Sequence, residues 1–417
     1  METLKLKRRK IIPGQHIQIS GSKSISNRLL IMQALYKGIL VSNLSDAQDT
    51  QLLQEALQSQ EDIIDIHHAG TAMRFLTAYY SIQKGRRVIL TGSDRMKQRP
   101  IYPLVDTLRD LGAEIEYTEQ EGFPPLKIKG TQIEKSEVTI DASISSQFIT
   151  ALLLIAPKLT HGLKLHLSGE LTSKPYIKMT LKLLKELGVQ TRFNDSTIEI
   201  EPYEMKTFAT NLRHIEVESD WSSASYFYSI AALSKQAFNL RSFLSHSYQG
   251  DSVLKELYWN FFGVNTITDD AELTLSLLPE KDFKYPSVIK YNLKDYPDIA
   301  QTLCVTAAAL QIPFHFTGLK TLLIKETNRL SALKNELYKI GCMTEITDES
   351  IRSTQYIEPE ENIKIETYND HRMAMAFAPF CLVKPLEIIN PDVVEKSYPK
   401  FWTHFSQISA EISDTKF

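Results

Sequence analysis

Lysines, arginines and small hydroxyl residues recur along this chain at short polar openings, and most of these openings run into an apolar stretch. GSKSISNR at 21–28 sets Lys23, Ser24 and Arg28 within about two helical turns. HHAGTAMR at 67–74 combines Gly70, where a ligand can approach the backbone closely, with Thr71 and Arg74. RMKQRP at 95–100 adds Arg99 ahead of a proline suited to opening the next helix. DASISSQF at 141–148 offers Ser145, Ser146 and Gln147, neutral donors suited to a phosphate or a sugar hydroxyl. LTSKPYIKMT supplies Ser173, Lys174 and Tyr176 further on. In the second half, DYPDIAQ at 295–301 carries Asp298, KETNRL at 325–330 carries Lys325, Glu326 and Arg329, YNDHRMAMA at 368–376 carries His371 and Arg372, and VEKSYPKFW holds Lys396.

Each opening taken alone has a plain structural explanation. Serines at 21–28 and 141–148 can cap helices, the first of them ahead of a solvated face. GSKSISNR is not a Walker A loop, because Ser22 alone separates Gly21 from Lys23 where that motif needs four residues and then Gly-Lys. Adjacent His67 and His68 lack the ligand spacing of a metal site. Arg99 can belong to an ordinary basic turn, and Lys174 to a loop before a helix. Asp298 can cap the following helix, act as a general base, or do both. Glu326 and Arg329, three apart, fit a surface ion pair, and Lys396 fits a solvated surface. What the single segments leave open, their recurrence narrows: cations and small donors open apolar helices in both halves.

The elements that must position these residues are repeated. A helix that ends in glycine and runs into a strand is written four times, as LRDLGAEIEY, LKELGVQTRF, WNFFGVNTIT and LYKIGCMTEI. Their glycines, Gly112, Gly188, Gly263 and Gly341, are spaced 76, 75 and 78 residues apart. Each fits a left-handed residue just past a helix, where a side chain would be strained. A second series of six openings near residues 21, 69, 145, 222, 297 and 369 leads into apolar, alanine-rich helices, predicted to be buried on most sides. Between them the pattern predicts second helices, such as Tyr102 to Leu111, and short strands at Arg87 to Leu90, Ala113 to Tyr117 and Leu126 to Lys129. Six such units divide naturally into two lobes of three. Helix N-termini converging on a shared cleft would form an anion site from unpaired backbone N–H groups.

Composition sets the limits. A chain of 417 residues holds two or three packed units. Its 47 Lys and Arg against 50 Asp and Glu give a net charge of −3, so there is no general attraction to nucleic acid or an anionic membrane, and any anion must be bound locally. The longest apolar stretch, Ile149 to Pro157, is far short of the roughly 20 residues that span a bilayer. The basic Lys5 to Lys10 segment lacks the apolar region of a signal peptide, which leads us to expect a cytoplasmic protein. Cys304, Cys342 and Cys381 form neither a CxxC pair nor an even set, so reduced, buried thiols are expected.

The set GSKSISNR, AGTAMR, MKQRP, SSQF, SKPYI, SDWSSASYF, PDIA, KETNRL and YNDHRMAM, in this order over nearly the whole chain, resembles the 5-enolpyruvylshikimate-3-phosphate synthase family. The resemblance implies an α/β (α+β) fold, a two-lobed inside-out barrel of six helix-strand units, three per lobe. The lobes would be 21–218, and 1–20 plus 219–417. It implies transfer of the enolpyruvyl group of phosphoenolpyruvate to the 5-hydroxyl of shikimate 3-phosphate, with no cofactor or metal, by a monomer. Shikimate 3-phosphate would meet Lys23, Ser24, Arg28, Ser145, Ser146, Gln147, Ser173, Tyr176 and Asp298. Phosphoenolpyruvate would meet Lys23, Gly70, Arg99, Gln147, Glu326, Arg329, His371, Arg372 and Lys396. Asp298, with Glu326 or Lys23, would move the protons. Two anions side by side do require several cations, arginine being best suited to two-point contact.

Several residues depart from the family pattern. His68 stands for a usual Asn beside both substrates, and Phe75 for a Pro, which is expected to shift Gly70 and Thr71 and alter the response to glyphosate. Asn328 replaces an Asp and Thr321 an Asn. Between Asp49 and His68 roughly 25 residues are missing by comparison with the family, so the first unit should lack a strand pair. Two rival readings share the fold: a UDP-sugar enolpyruvyl transferase, whose reactive Cys in the loop aligned with RMKQRP is absent here, and a catalytically weakened binding protein.

Overall fold

One plan is used for four of the sheets. In the first, Ile63–Asp65 runs parallel to Arg87–Thr91, which pairs antiparallel with Leu126–Lys129, which pairs antiparallel with Glu114–Tyr117. The same order recurs in Glu137–Asp141, Leu163–Ser168, Thr197–Ile200 and Thr191–Phe193. It recurs again in His16–Gln18, Phe238–Arg241, Thr274–Pro279 and Val264–Asp269. The fourth instance is Ile289–Asn292, Phe314–Thr317, Ile351–Tyr356 and Cys342–Ile346. The computed structural model describes residues 2–204 and 213–412; the stretch 205–212 of the expected first lobe, together with residues 1 and 413–417 of the second, lies outside the described residues.

A parallel pair needs a crossover, and a helix supplies it. These crossover helices are the apolar ones: Gly70–Ser81, Ser146–Ile155, Trp221–Ser234 and Ala300–Ala309, the last entered through the short 3₁₀ turn Pro297–Ile299. In Ser146–Ile155 every residue except Gln147 is buried, and in Gly70–Ser81 every residue except Thr71 and Tyr79. Burying each large aliphatic residue contributes about 1.5–3 kcal/mol, so these helices are anchored along their lengths; in the first two, Thr71 and Gln147 are the first-turn side chains left less than buried.

The second helix of each unit is amphipathic: Tyr102–Leu111, Lys174–Glu186, Leu254–Phe262 and Arg329–Lys339. Each is followed by its glycine at positive φ. At Gly341 the requirement is double, since φ is +87° and an added Cβ would lie 2.4 Å from the carbonyl oxygen of Ile357.

Two units deviate. Ile39–Ser42 pairs only with Arg213–Glu216, in a two-stranded parallel sheet with no hairpin among the described residues. After the Gln48–Gln58 helix the chain passes directly to Ile63, the first residue of the next sheet's first strand; this is where a strand pair is expected to be missing. In the other, Ile363–Glu366 runs parallel to Leu386–Ile389, whose far edge is taken by Thr3–Leu6.

By its internal contacts the chain divides into two units, Ser22–Val217, and Met1–Gly21 with Glu218–Phe417. The chain enters and leaves the first of these at neighbouring points of the second, where Gly21 and Ser219 form a β-bridge and Ser219 donates its hydroxyl to the Ile19 carbonyl (2.6 Å). Cys304, Cys342 and Cys381 are free and buried, and no helix is long and apolar enough to cross a membrane among the described residues.

Candidate active site

In the unit Ser22–Val217, helices Lys23–Leu35, Gly70–Ser81, Ser146–Ile155 and Lys174–Glu186 pack on one another, which gathers their polar first turns. Ser22 caps the first helix by accepting the Ile25 N–H (3.4 Å). That helix is not solvated on its other side, because Ile25 through Met32 are all buried. Lys23 donates to Asp49 Oδ2 at 3.1 Å.

Arg28 is buried with neutral acceptors only, among the described residues. Nε donates to Thr180 Oγ1 (2.8 Å), Nη1 to the Ser24 carbonyl (2.7 Å), and Nη2 to Thr150 Oγ1 and the Tyr176 carbonyl (both 3.3 Å). Its carbon Cζ lies 5.7 Å from the Phe75 ring centroid and 5.9 Å from that of Tyr176. Burial without a counter-charge lowers its pKa to about 10, which still leaves it a cation at neutral pH. Phe75, where the resemblance leads us to expect proline, is thus a buried partner of Arg28, and its helix runs unbroken from Gly70 to Ser81.

Arg99 is 8% exposed, its Nε is buried without a hydrogen-bond partner, and no carboxylate lies within ion-pair distance of it among the described residues. Its guanidinium rests against the backbone of Gly70: a Cβ there would sit 2.5 Å from Nη1. Arg74 fixes this arrangement by donating to the carbonyls of Gly70 (3.0 Å) and Pro100 (3.3 Å), tying the helix start to the turn that carries Arg99. Ser145 caps its helix, accepting the Gln147 N–H (3.2 Å), while Gln147 donates its side-chain amide to Thr71 Oγ1 (3.3 Å). Ser146 is buried. Ser173 is buried at φ +54° and does not cap with its side chain.

In the other unit the charges are compensated. Asp298 does not cap the Ala300–Ala309 helix, which has no side-chain cap bond. Its carboxylate lies 3.1 Å from Arg372 Nη2, 3.4 Å from Arg329 Nη1 and 3.8 Å from Lys325 Nζ, and Arg372 Nη1 donates to its carbonyl (2.7 Å). Arg329 is 1% exposed, so its contact with Glu326 (2.7 Å) is no surface ion pair. Arg329 also donates to both oxygens of the buried Asp370, from Nε at 2.6 Å and from Nη2 at 3.3 Å. Burial alone would lower the Arg329 pKa, but Asp370, Glu326 and Asp298 outweigh it and raise the value. His371 is buried, with Nδ1 3.9 Å from Asp370 Oδ1. Lys396 is half-buried and donates to the Asn369 carbonyl (2.8 Å).

Two further participants emerge from the geometry, Asp49 and Asp370, while Lys325 of KETNRL is placed beside Asp298. The acidic residue in the first turn of Gln48–Gln58 was the only local signal for Asp49. Asp370 is the N-cap of the His371–Phe377 helix, accepting the Arg372 N–H (2.9 Å), which NDHR before an apolar run does announce. Of the departures, Asn328 caps Arg329–Lys339 by accepting the Ser331 N–H (3.1 Å), Thr321 is buried, and His68 is exposed.

A helix-start array with Arg28 and Arg99 in one unit, and arginines and lysines bracketing carboxylates in the other, suits anionic substrates. Comparison with known proteins agrees. The model of the family described as EPSP synthase (3-phosphoshikimate 1-carboxyvinyltransferase) matches residues 53–405. The chain is 48% identical over 394 residues to the 3-phosphoshikimate 1-carboxyvinyltransferase of Bacteroides fragilis, covering 93% of each, and 35% identical over 429 residues to that of Haemophilus influenzae, covering 94% of this chain and 96% of the other. Its fold resembles the EPSP synthase of Acinetobacter baumannii (TM-score 0.75, 19% identity, 98% of this chain and 100% of that one). It also resembles an enolpyruvyl transferase of Streptomyces tendae (TM-score 0.73, 14% identity, 98% and 97%). The chain belongs to the EPSP synthase family.

Proposed function

We propose that this protein transfers the enolpyruvyl group of phosphoenolpyruvate to the 5-hydroxyl of shikimate 3-phosphate and releases phosphate, a step of aromatic amino acid biosynthesis. The observation that carries the reading is Arg99, a buried guanidinium seated on Gly70 with no carboxylate paired to it among the described residues. The 5-hydroxyl oxygen bonds to C2 of phosphoenolpyruvate as C3 takes a proton, giving a tetrahedral intermediate. The C2–O bond to phosphate then breaks, C3 gives up a proton, and the enol ether remains.

Asp298 accepts the hydroxyl proton, and Lys23 or Glu326 exchanges the proton at C3. Arg99, Arg329 and Arg372 stabilise charge developing on the carboxylate and phosphate. Shikimate 3-phosphate is held from Lys23, Ser24, Arg28, Ser145, Ser146, Gln147, Ser173 and Tyr176, with His371 and Lys396 on the phosphoenolpyruvate side. The architecture that goes with this reading is a two-lobed inside-out barrel of six units with the first cut short. The three buried free thiols fit a reducing cytoplasm.

Phosphate release from phosphoenolpyruvate is measured with shikimate 3-phosphate, with a UDP-sugar, and with neither. Release only with shikimate 3-phosphate is expected, and none with it overturns the reading. Asp298→Asn should lower kcat by about 100-fold or more while shikimate 3-phosphate still binds; near-normal turnover refutes the role of Asp298.

A further inference from the structure

The turn before the His371–Phe377 helix is bent in a way that side chains resist. Tyr368 and Asn369 are consecutive residues at φ +53° and +54°, a left-handed conformation that is unusual for one bulky residue and more so as part of a pair. Such a turn persists only where its surroundings hold it. Tyr368 donates its hydroxyl to Glu336 Oε1 at 2.8 Å. Asn335 donates to the same hydroxyl oxygen at 3.4 Å. Glu336 is fully buried, and its other oxygen accepts Lys339 Nζ (2.7 Å) and the Glu366 N–H (3.0 Å). Burial pushes the Tyr368 phenol up to about 12, so it remains a donor at neutral pH.

Asn369 and Asp370 supply the reason for holding the turn. The Asn369 carbonyl accepts Lys396 Nζ at 2.8 Å, and its side-chain oxygen accepts Asn390 Nδ2 at 3.0 Å. Asp370 comes next, gripping Arg329 and capping the helix at Arg372. Two cations, Lys396 and Arg329, are therefore oriented by two residues of one strained turn, and that turn is tethered through Tyr368 to the helix Arg329–Lys339, which starts with Arg329 itself.

We propose that Tyr368 and Glu336 are positioning residues for the phosphoenolpyruvate half of the reaction: they clamp the turn whose Asn369 carbonyl aims Lys396 and whose Asp370 carboxylate aims Arg329. The inference rests on the function proposed above. Neither residue touches substrate; both act through the turn. A plain structural anchor would alter every kinetic parameter alike, whereas a positioning clamp discriminates between the two substrates.

The test uses the full chain and phosphate release, varying phosphoenolpyruvate at saturating shikimate 3-phosphate and the converse. Tyr368→Phe keeps the ring and removes the tether. It should raise KM for phosphoenolpyruvate by about tenfold and lower kcat, leaving KM for shikimate 3-phosphate within about twofold. Glu336→Gln, the conservative second variant, should give the same substrate selectivity at smaller amplitude. Equal changes in both KM values, or no change in either for a folded Tyr368→Phe protein, overturn the proposal alone. An inactive wild type overturns it together with the function on which it rests.

Discussion

Replacing Gly70 by alanine would bring a methyl carbon to 2.5 Å from Arg99 Nη1, 3.1 Å from Cζ and 3.2 Å from Nη2. Ordinary contact begins near about 3.5 Å, so the guanidinium must retreat by about 1 Å. A hydrogen bond of about 2.9 Å from Nη1 to a substrate oxygen would then exceed the range in which such a bond counts. One hydrogen bond to a charged group is worth about 1.5–3 kcal/mol, which converts to a rise of about 10- to 150-fold in KM for phosphoenolpyruvate. The fold should not suffer, because Gly70 lies in a helix at ordinary negative φ, where alanine is favoured over glycine by up to about 1 kcal/mol. Weaker substrate binding at equal or higher Tm is therefore the expected signature. Initial rates of phosphate release against phosphoenolpyruvate, with thermal melts of the same preparations, measure both. A KM for phosphoenolpyruvate within twofold of wild type would refute the placement of that substrate over Gly70 and Arg99.

Two other substitutions test the scaffold. Asp251 is buried with its carboxylate accepting from the Ser222 hydroxyl; burial, then repulsion from Asp298, raises its pKa to about 7. The folded protein thus keeps this proton to higher pH than the unfolded chain does, and stability falls as pH rises from about 4 to about 7. Asp251→Asn lacks that loss, so its Tm relative to wild type should climb by several degrees between pH 5 and pH 8; a constant difference would refute the assignment. Gly341→Ala meets both a positive φ and the Ile357 carbonyl, and should cost about 1–3 kcal/mol, seen as a drop in Tm of several degrees. An unchanged Tm would show that the turn relaxes without penalty.

The parts of this molecule that were readable in advance are those with local causes. The helix Tyr102–Leu111 has its predicted limits because Leu104, Leu108 and Leu111 bury one face and Gly112 closes it, although the proline in its first turn is Pro103 and not Pro100 of RMKQRP, which lies before the N-cap Ile101. The crossover helices start where small polar residues precede apolar runs. Partnerships over long separations were not readable. Nothing within KETNRL indicates that Arg329 is buried, because the cause is Asp370, 41 residues onward. Asp298 resembled a cap for the same reason: the cations that claim its carboxylate lie 27, 31 and 74 residues away. Arg99 resembled an ordinary basic turn since burial of a cation against a glycine leaves no mark in sequence. Tyr368 gave no sign at all, as a left-handed tyrosine is dictated by its tether and not by its own propensity.

The pairing of Thr3–Leu6 with Leu386–Ile389, and of Arg9–Ile11 with Ser409–Glu411, has a consequence for synthesis. At about 5–20 residues per second on the ribosome, these first strands wait on the order of 20 to 80 s for their partners, while the whole of Ser22–Val217 emerges and can fold. A waiting strand is an aggregation hazard unless charge guards it. The segment Lys5, Lys7, Arg8, Arg9 and Lys10 carries such charge; in the folded protein Glu387 lies opposite Lys5, and Glu411, opposite Arg9, is within ion-pair distance of both Arg9 and Lys7. The carboxylates that offset part of this run thus arrive only with strands made long after it.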